Sequence, residues 1–315
     1  MSNQPRPIIN RKNSLSLRTT DNLTLWLMAL PGIALFLAFS YLPMTGIVLA
    51  FKSFRPKAGM FLSPWVGLKN FEFMFRNATF WMTVRNTLLY NLAFMVIGIL
   101  GPLVFAIALN EVRPKRAART YQTITIMPHF VSYVVVSVIV FAVLSADSGI
   151  IGNMYKDRGL QPIAFYSEPK YWPWILSFVY LWKHIGYSSI IFLGTITGIS
   201  DEFYEAAVID GATKWQQIRH ITLPFLKPMV VVLTIMRVGQ MFSSNFDLFY
   251  QVPMNSGQLY TVTNTINVFV YNTLKNSNNV SLSAAVGFVQ SVAGFLLVMG
   301  TNQVIRAIDS DLAMF

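Results

Sequence analysis

The chain has 315 residues, 54% hydrophobic and only 12% charged, with a mean hydropathy of +0.50. Soluble domains carry roughly 25% charged residues, so this composition argues against a soluble enzyme and for a membrane protein. The formal charge of +11 is spread through tails and short connectors, which argues against a nucleic-acid partner, and the lack of Cys excludes disulfides and thiolate sites.

A membrane-spanning helix needs about 20 mostly apolar residues. After a tail at 1–22, the first expected span is Leu23–Phe51, with Pro31 and Pro43 as kinks. This run is far longer than the apolar region of a signal peptide, so it reads as a retained helix. The connector Lys52–Arg85 mixes Phe71, Phe73, Met74, Phe75, Phe80, Trp81 and Met82 with Lys69, Arg76 and Arg85. That mixture suits either a helix lying at the membrane interface or an aromatic-rich loop packed on the outer helix ends.

The second span is expected at Thr87–Leu109, which carries no charge, and the third at Tyr121–Leu144, with Pro128 in its first part. The fourth is Pro173–Ile199, with Trp172 and Trp174 at its start in the manner of an interfacial aromatic belt. The fifth is Pro228–Tyr250, the sixth Ser283–Val304, and a tail follows at 307–315. An even number of spans places both termini on one side. The dense cluster Arg113, Lys115, Arg116 and Arg119 in a short loop favours the cytoplasm for that side.

Between the fourth and fifth spans, residues 200–227 read as a folded polar elbow. Ser200 or Asp201 is expected to cap a helix that holds Glu205 in its first turn. Ala206, Ala207, Asp210 and Gly211 then make a thin face at helical spacing, and Gly211 turns the chain. A second helical stretch over Lys214–Ile221 is expected to stop at Leu223-Pro224, with Pro228 opening the next span.

Ionisable residues inside spans are costly and therefore candidates for function. Lys183 lies near mid-depth in the fourth span and Arg237 in the fifth. Arg237, Gln240, Ser244 and Asp247 follow helical spacing and would share one face, either lining a path for a polar solute or packing against other helices. Tyr250, Tyr133 and Trp182 offer rings for stacking on sugars or for packing, and His129 and His184 read as polar packing residues rather than metal ligands. With no acid at the depth of Lys183 and Arg237, a facing acid, water or an acidic sugar would have to balance them.

Glu205-Ala206-Ala207, Asp210-Gly211-Ala212, Ile221, Leu223 and Pro224 fall in the register of the EAA loop, and the chain resembles the permease subunits of binding-protein-dependent type I ABC importers. Gly67-Leu68-Lys69-Asn70-Phe71, Phe80-Trp81 and Asn86-Thr87-Leu88 are similar to carbohydrate permeases of the maltose-transporter class. Tyr41-Leu42-Pro43 and Phe51-Lys52-Ser53-Phe54 resemble a subgroup linked to oligo- and polysaccharide uptake. The resemblance implies an all-α core of six transmembrane helices with a coupling helix between the fourth and fifth. It further implies a second, usually different, permease, two cytoplasmic ATPase subunits carrying ATP and Mg, and an extracellular solute-binding protein that delivers a saccharide. The chain holds no G-x-x-x-x-G-K-[ST] phosphate loop, so it is expected to bind no cofactor and to hydrolyse no ATP by itself. The competing reading is a stand-alone secondary transporter or channel for a small polar solute. It would favour inverted repeats and intramembrane acidic relays, which are not evident; a membrane enzyme would need paired carboxylates, a metal cluster or a catalytic triad at one depth.

Overall fold

The computed structural model describes residues 11–308, with side chains over 22–307; of the tails expected at 1–22 and 307–315, residues 1–10 and 309–315 lie outside the described residues. Helix α1, Arg11–Phe36, begins before the expected start of the first span. It runs through a π-turn at Leu37–Tyr41 into a 3₁₀ segment at Leu42–Phe51. Pro43 would lose a backbone hydrogen bond and strike the carbonyl four residues before it. The wider turn just upstream lets the helix path continue past it.

The connector is a helical layer. Short α2 (Gly59–Leu62) is followed by α3 (Lys69–Arg76), whose Phe71 and Met74 are buried against the end of the first span and the last helix. Asn70 Nδ2 donates to the Ala50 and Lys52 carbonyls and ties this layer to the span. The packed arrangement therefore prevails over a helix lying free at the interface.

Helix α4, Ala78–Asn110, is capped by Asn77, whose side chain accepts from Thr79 N–H at 2.9 Å. The third span is broken. Helices α5 (Lys115–Phe130) and α6 (Tyr133–Leu144) meet at a 100° bend, where a single span over Tyr121–Leu144 with Pro128 in its first part was expected. Pro128 removes a donor near the end of α5. Val131 and Ser132 then turn extended, and the Ser132 hydroxyl caps α6 by accepting from Val135 N–H.

After α7 (Ile150–Asp157), α8 (Trp172–Thr197) forms the central span, followed by α9 (Asp201–Ile209) and α10 (Lys214–Gln217). A π-turn at Ile218–Thr222 leads directly into α11, Leu223–Gly239. This corrects the expected stop at Leu223-Pro224. The helical path runs unbroken over Lys214–Gly239, because the π-turn relieves Pro224 as the earlier one relieves Pro43. The fifth span then ends early, at Gly239. Helices α12 (Phe246–Gln251), α13 (Tyr260–Thr263), α14 (Ile266–Ser277) and α15 (Val280–Ile308) complete the chain.

Among the described residues, five helical stretches are long and apolar enough to cross a membrane, and the bent α5–α6 pair makes a sixth if counted as one span. Three buried clusters hold them together. Tyr90, Phe94, Leu176, Val179 and Tyr180 join α4 to α8 and gather Val136 of α6 with Leu248 and Phe249 of α12. Phe71, Met74, Phe80, Ile266, Leu282 and Val286 pack the connector layer against α14 and α15. Ile99, Leu103, Ala106, Phe192, Ile196 and Leu226 close the opposite end between α4, α8 and α11. Without a hydrophobic drive between helices in lipid, close packing of this kind carries association. At Gly186 of α8 the backbone of α5 comes so near that an added Cβ would lie 2.3 Å from the Thr125 carbonyl oxygen.

Candidate functional site: a polar cavity and a capped elbow

The polar cavity is created where α11 ends. Gly239 is its last residue, and residues 240–245 fold back in turns, with Gln240 N–H donating to the Arg237 carbonyl and Ser243 N–H to the Gln240 carbonyl. Asn91 of α4 supplies the donors that the broken helix lacks. Its Nδ2 donates to the Met241 carbonyl at 2.7 Å and to the Ser243 carbonyl at 2.8 Å. Backbone polar groups at membrane depth need such partners. Asn245 caps α12 by accepting from Leu248 N–H at 3.1 Å, and its Nδ2 donates to the Tyr133 hydroxyl at 2.9 Å.

The result is a cavity of about 290 Å³ lined by Asn91, Phe94, Met95, Tyr180, His184, Arg237, Gln240, Ser243, Ser244 and Asn245. That volume lies at the lower end of small-molecule sites, about 300–1,000 Å³. Arg237 Nη1 donates to the Tyr180 hydroxyl at 2.8 Å, and the Tyr180 ring lies parallel to Phe94 with centroids 4.1 Å apart. The guanidinium is thus held from behind by a packed aromatic pair.

The expected single face of Arg237, Gln240, Ser244 and Asp247 does not form, because the helix that would carry it stops at Gly239. The turn still brings Arg237, Gln240 and Ser244 to the cavity, while Asp247 lies exposed in the first turn of α12, outside the lining. Tyr250 also lies outside it, stacked on Phe246 and edge-on to Tyr271.

Lys183 does not line the cavity either. Its buried ammonium donates to the carbonyls of Pro128 at 3.1 Å, His129 at 2.7 Å and Val131, capping the broken end of α5. The Pro128 carbonyl also accepts from Val131 N–H at 3.2 Å; carbonyls at a helix end otherwise lack an intrahelical partner, and here a remote cation serves them. Neighbouring His184 approaches the Tyr133 hydroxyl at 3.1 Å, and His129 stacks on Tyr187 at 4.0 Å. Among the described residues, no group of three or more His, Asp or Glu is placed to hold a metal ion.

At the other end of the bundle, α9 is capped by Ser200, which accepts from Glu202 N–H. Gly211 takes the left-handed conformation, with φ +78°, and its N–H donates to the Val208 carbonyl at 3.0 Å. Thr213 and Gln216 form a reciprocal capping box that starts α10. Tyr204 and Thr222 share a 3.0 Å hydroxyl contact that fastens α9 to the base of α11.

No residue of α9 is buried. Glu205, Ala206, Asp210, Gly211 and Pro224 are exposed, and Ala207, Ala212, Ile221 and Leu223 are half-buried. Ile209 and Trp215 are 86% and 67% exposed, an apolar display that a rigidly capped elbow holds outward.

Residues 98–313 match the family described as "binding-protein-dependent transport system inner membrane component". The chain belongs to this family. Protein LplB of Bacillus subtilis (strain 168) is 33% identical over 295 residues, covering 91% of this chain and 90% of its own. The polygalacturonan/rhamnogalacturonan transport system permease protein YteP of the same organism is 33% identical over 296 residues, covering 94% and 92%. Among solved structures, a chain of a bacterial ABC transporter involved in the import of the acidic polysaccharide alginate superposes with a TM-score of 0.84. It is 30% identical and covers 94% of this chain and 99% of its own. A chain of a bacterial alginate ABC transporter, in complex with an alginate pentasaccharide-bound periplasmic protein, gives a TM-score of 0.82 at 30% identity, with coverage of 92% and 96%.

This inner membrane component is therefore a multi-pass permease subunit of an ABC transporter, as its motifs led one to expect. A stand-alone secondary transporter or channel is not favoured, because the family serves systems that depend on a binding protein. Asn91, Ser243 and Asn245 of the cavity escaped the sequence reading. Asn91 carried a signal, as an amide within the otherwise apolar second span. Asn245 and Ser243 carried none, because their position follows from the early end of α11.

Proposed function

We propose that this permease is the transmembrane subunit of an ATP-driven importer that takes up an oligo- or polysaccharide delivered by an extracellular solute-binding protein. Its polar cavity forms part of the substrate path, with Arg237, Gln240 and Ser244 facing the sugar. The elbow couples the path to a cytoplasmic ATPase. Glu205, Ala206, Ala207, Asp210, Gly211 and Ala212 present the docking helix, and Ile221 in the π-turn with Leu223 and Pro224 at the start of α11 joins it to the span. Both termini then lie in the cytoplasm, and ATP and Mg reside on the partner ATPases.

The observation that carries this reading is the elbow. It is rigidly capped at both of its helices yet leaves every residue of α9 unburied. A capped helix that its own chain touches only along Phe203, Tyr204 and Ala207, leaving the rest of its surface exposed, supports docking into a partner. The substrate class draws on the relatives, whose names specify polygalacturonan, rhamnogalacturonan and alginate. A second homologous permease is the proposed cover for the first span, in whose apolar stretch only 6% of the residues are buried in this chain.

The test is co-expression with the adjacent transport components and reconstitution in liposomes. The chain is expected to co-purify with an ATPase and a second multi-span permease, and uptake is expected to require both ATP and the binding protein. Saccharide uptake by the chain alone, without ATP, would overturn the proposal.

A further inference from the structure

Arg237 is the one permanent cation in the cavity lining, which contains no Asp or Glu. Among the described residues it makes no ion pair; its side chain donates only to the neutral Tyr180 hydroxyl, through Nη1. The guanidinium is half-buried in a membrane span, where an uncompensated charge is costly. Elsewhere among the described residues, the buried cation of the spans is fully employed: Lys183 caps three carbonyls. Arg237 therefore keeps most of its donor fork unspent while being held in place by the Tyr180–Phe94 stack.

The surrounding groups fit the rest of a sugar acid. The Gln240 amide and the Ser243 hydroxyl line the cavity and, among the described residues, make no hydrogen bond within this chain. They offer neutral donors and acceptors to ring hydroxyls beside a cation suited to a carboxylate. Arginine binds carboxylates through two parallel N–H donors, and such charge-assisted pairs strengthen in a low-dielectric site.

We infer that Arg237 is a specificity-determining residue that reads a carboxylate of the cargo, so that the transported saccharide is a uronate-containing chain. This inference rests on the saccharide-import reading and deepens it by naming the cargo's chemistry. Tyr180 acts as a positioning residue that fixes the guanidinium.

The test uses the assembled importer in lipid nanodiscs, without the binding protein, so that selectivity of the delivery step does not intervene. The probes are an oligogalacturonate and the same oligosaccharide after chemical reduction of its carboxyl groups. Binding is read by calorimetry, and stimulation of ATP hydrolysis is read in parallel at high probe concentration. Wild-type importer is expected to bind the acidic form at least about tenfold more tightly, the scale of one charge-assisted pair. Arg237→Gln is expected to abolish that preference, and Arg237→Lys to retain part of it, because a point charge remains without the planar fork. Equal binding of the two forms by wild type overturns the inference and leaves the saccharide reading standing, without needing any variant to fold. A preference that survives in Arg237→Gln overturns it as well. If neither form binds, the inference falls, and the saccharide reading is decided separately by uptake with the binding protein and ATP present.

Discussion

Replacing Gly186 by Ala tests whether the bundle is held by backbone contact between α5 and α8. The added Cβ would stand 2.3 Å from the Thr125 carbonyl oxygen, 2.4 Å from its carbon and 2.7 Å from Ile126 N. These are backbone atoms, so no side-chain rotation can relieve the clash. The helices must separate by about 1 Å to regain ordinary contact, in an interior that is close-packed. Overpacking of this kind costs about 1–3 kcal/mol, and a backbone clash belongs at the upper end. Helix propensity works in the other direction, since Ala is favoured over Gly by about 1 kcal/mol. Gly194 supplies the control, because it lies on the same helix and an added Cβ there meets nothing within 4 Å. Gly194→Ala carries the propensity gain without the clash, so the difference between the two variants isolates the contact. In detergent-solubilised importer, unfolding followed by tryptophan fluorescence is expected to show Gly186→Ala less stable than Gly194→Ala by about 2–3 kcal/mol. Equal stability of the two variants would refute the account of the α5–α8 interface. Lys183 and His184 lie within one turn before Gly186 on α8, so the same displacement is expected to impair uptake beyond what the loss of stability explains.

Lys183→Met keeps the length of the side chain but removes the ammonium donor from the carbonyls of Pro128, His129 and Val131, of which Pro128 keeps its bond from Val131 N–H. A hydrogen bond from a charged group contributes roughly 1.5–3 kcal/mol, and the three share one ammonium, so a loss of about 2–4 kcal/mol is expected from the same unfolding measurement. Unchanged stability would show that the bend between α5 and α6 does not depend on this cap. Gly211→Ala probes the elbow instead. With φ at +78° and nothing within 4 Å of an added Cβ, its cost is conformational, roughly 1–2 kcal/mol. Membrane insertion is expected to persist while substrate-stimulated ATP hydrolysis falls; Gly211→Asn should fall less, because Asn tolerates the left-handed region. Wild-type stimulation in the Ala variant would remove this turn from the coupling mechanism.

The long apolar runs were legible in the sequence because hydrocarbon burial imposes length and composition directly. The spans expected at Thr87–Leu109 and Pro173–Ile199 lie within α4 and, but for its last two residues, α8. The elbow was legible too, since its capping residues and Gly211 act locally. The path past Pro224 was not, because a π-turn is a helix's answer to a proline and has no sequence signature of its own. The breaks after Phe130 and Gly239 were hidden for a different reason. Each ends a helix at membrane depth, and the partners that make this tolerable come from other spans: Lys183 for α5 and Asn91 for α11.

Those two breaks also explain why a polar cavity sits in an apolar bundle. Tyr133, at the start of α6, approaches His184 of α8 and accepts from Asn245 at the cap of α12, so both interruptions share one hydrogen-bonded chain. His184 and Asn245 line the cavity that this chain borders. A continuous fifth span would have needed no Asn91 to serve its carbonyls and would have carried Arg237, Gln240 and Ser244 on a stripe facing another helix. Ending the helix at Gly239 converts that stripe into the wall of a recess. The side chains that satisfy the freed backbone become the wall's other polar groups. Helix termination and solute recognition therefore draw on the same residues, and a substitution at Asn91 or Asn245 perturbs both at once.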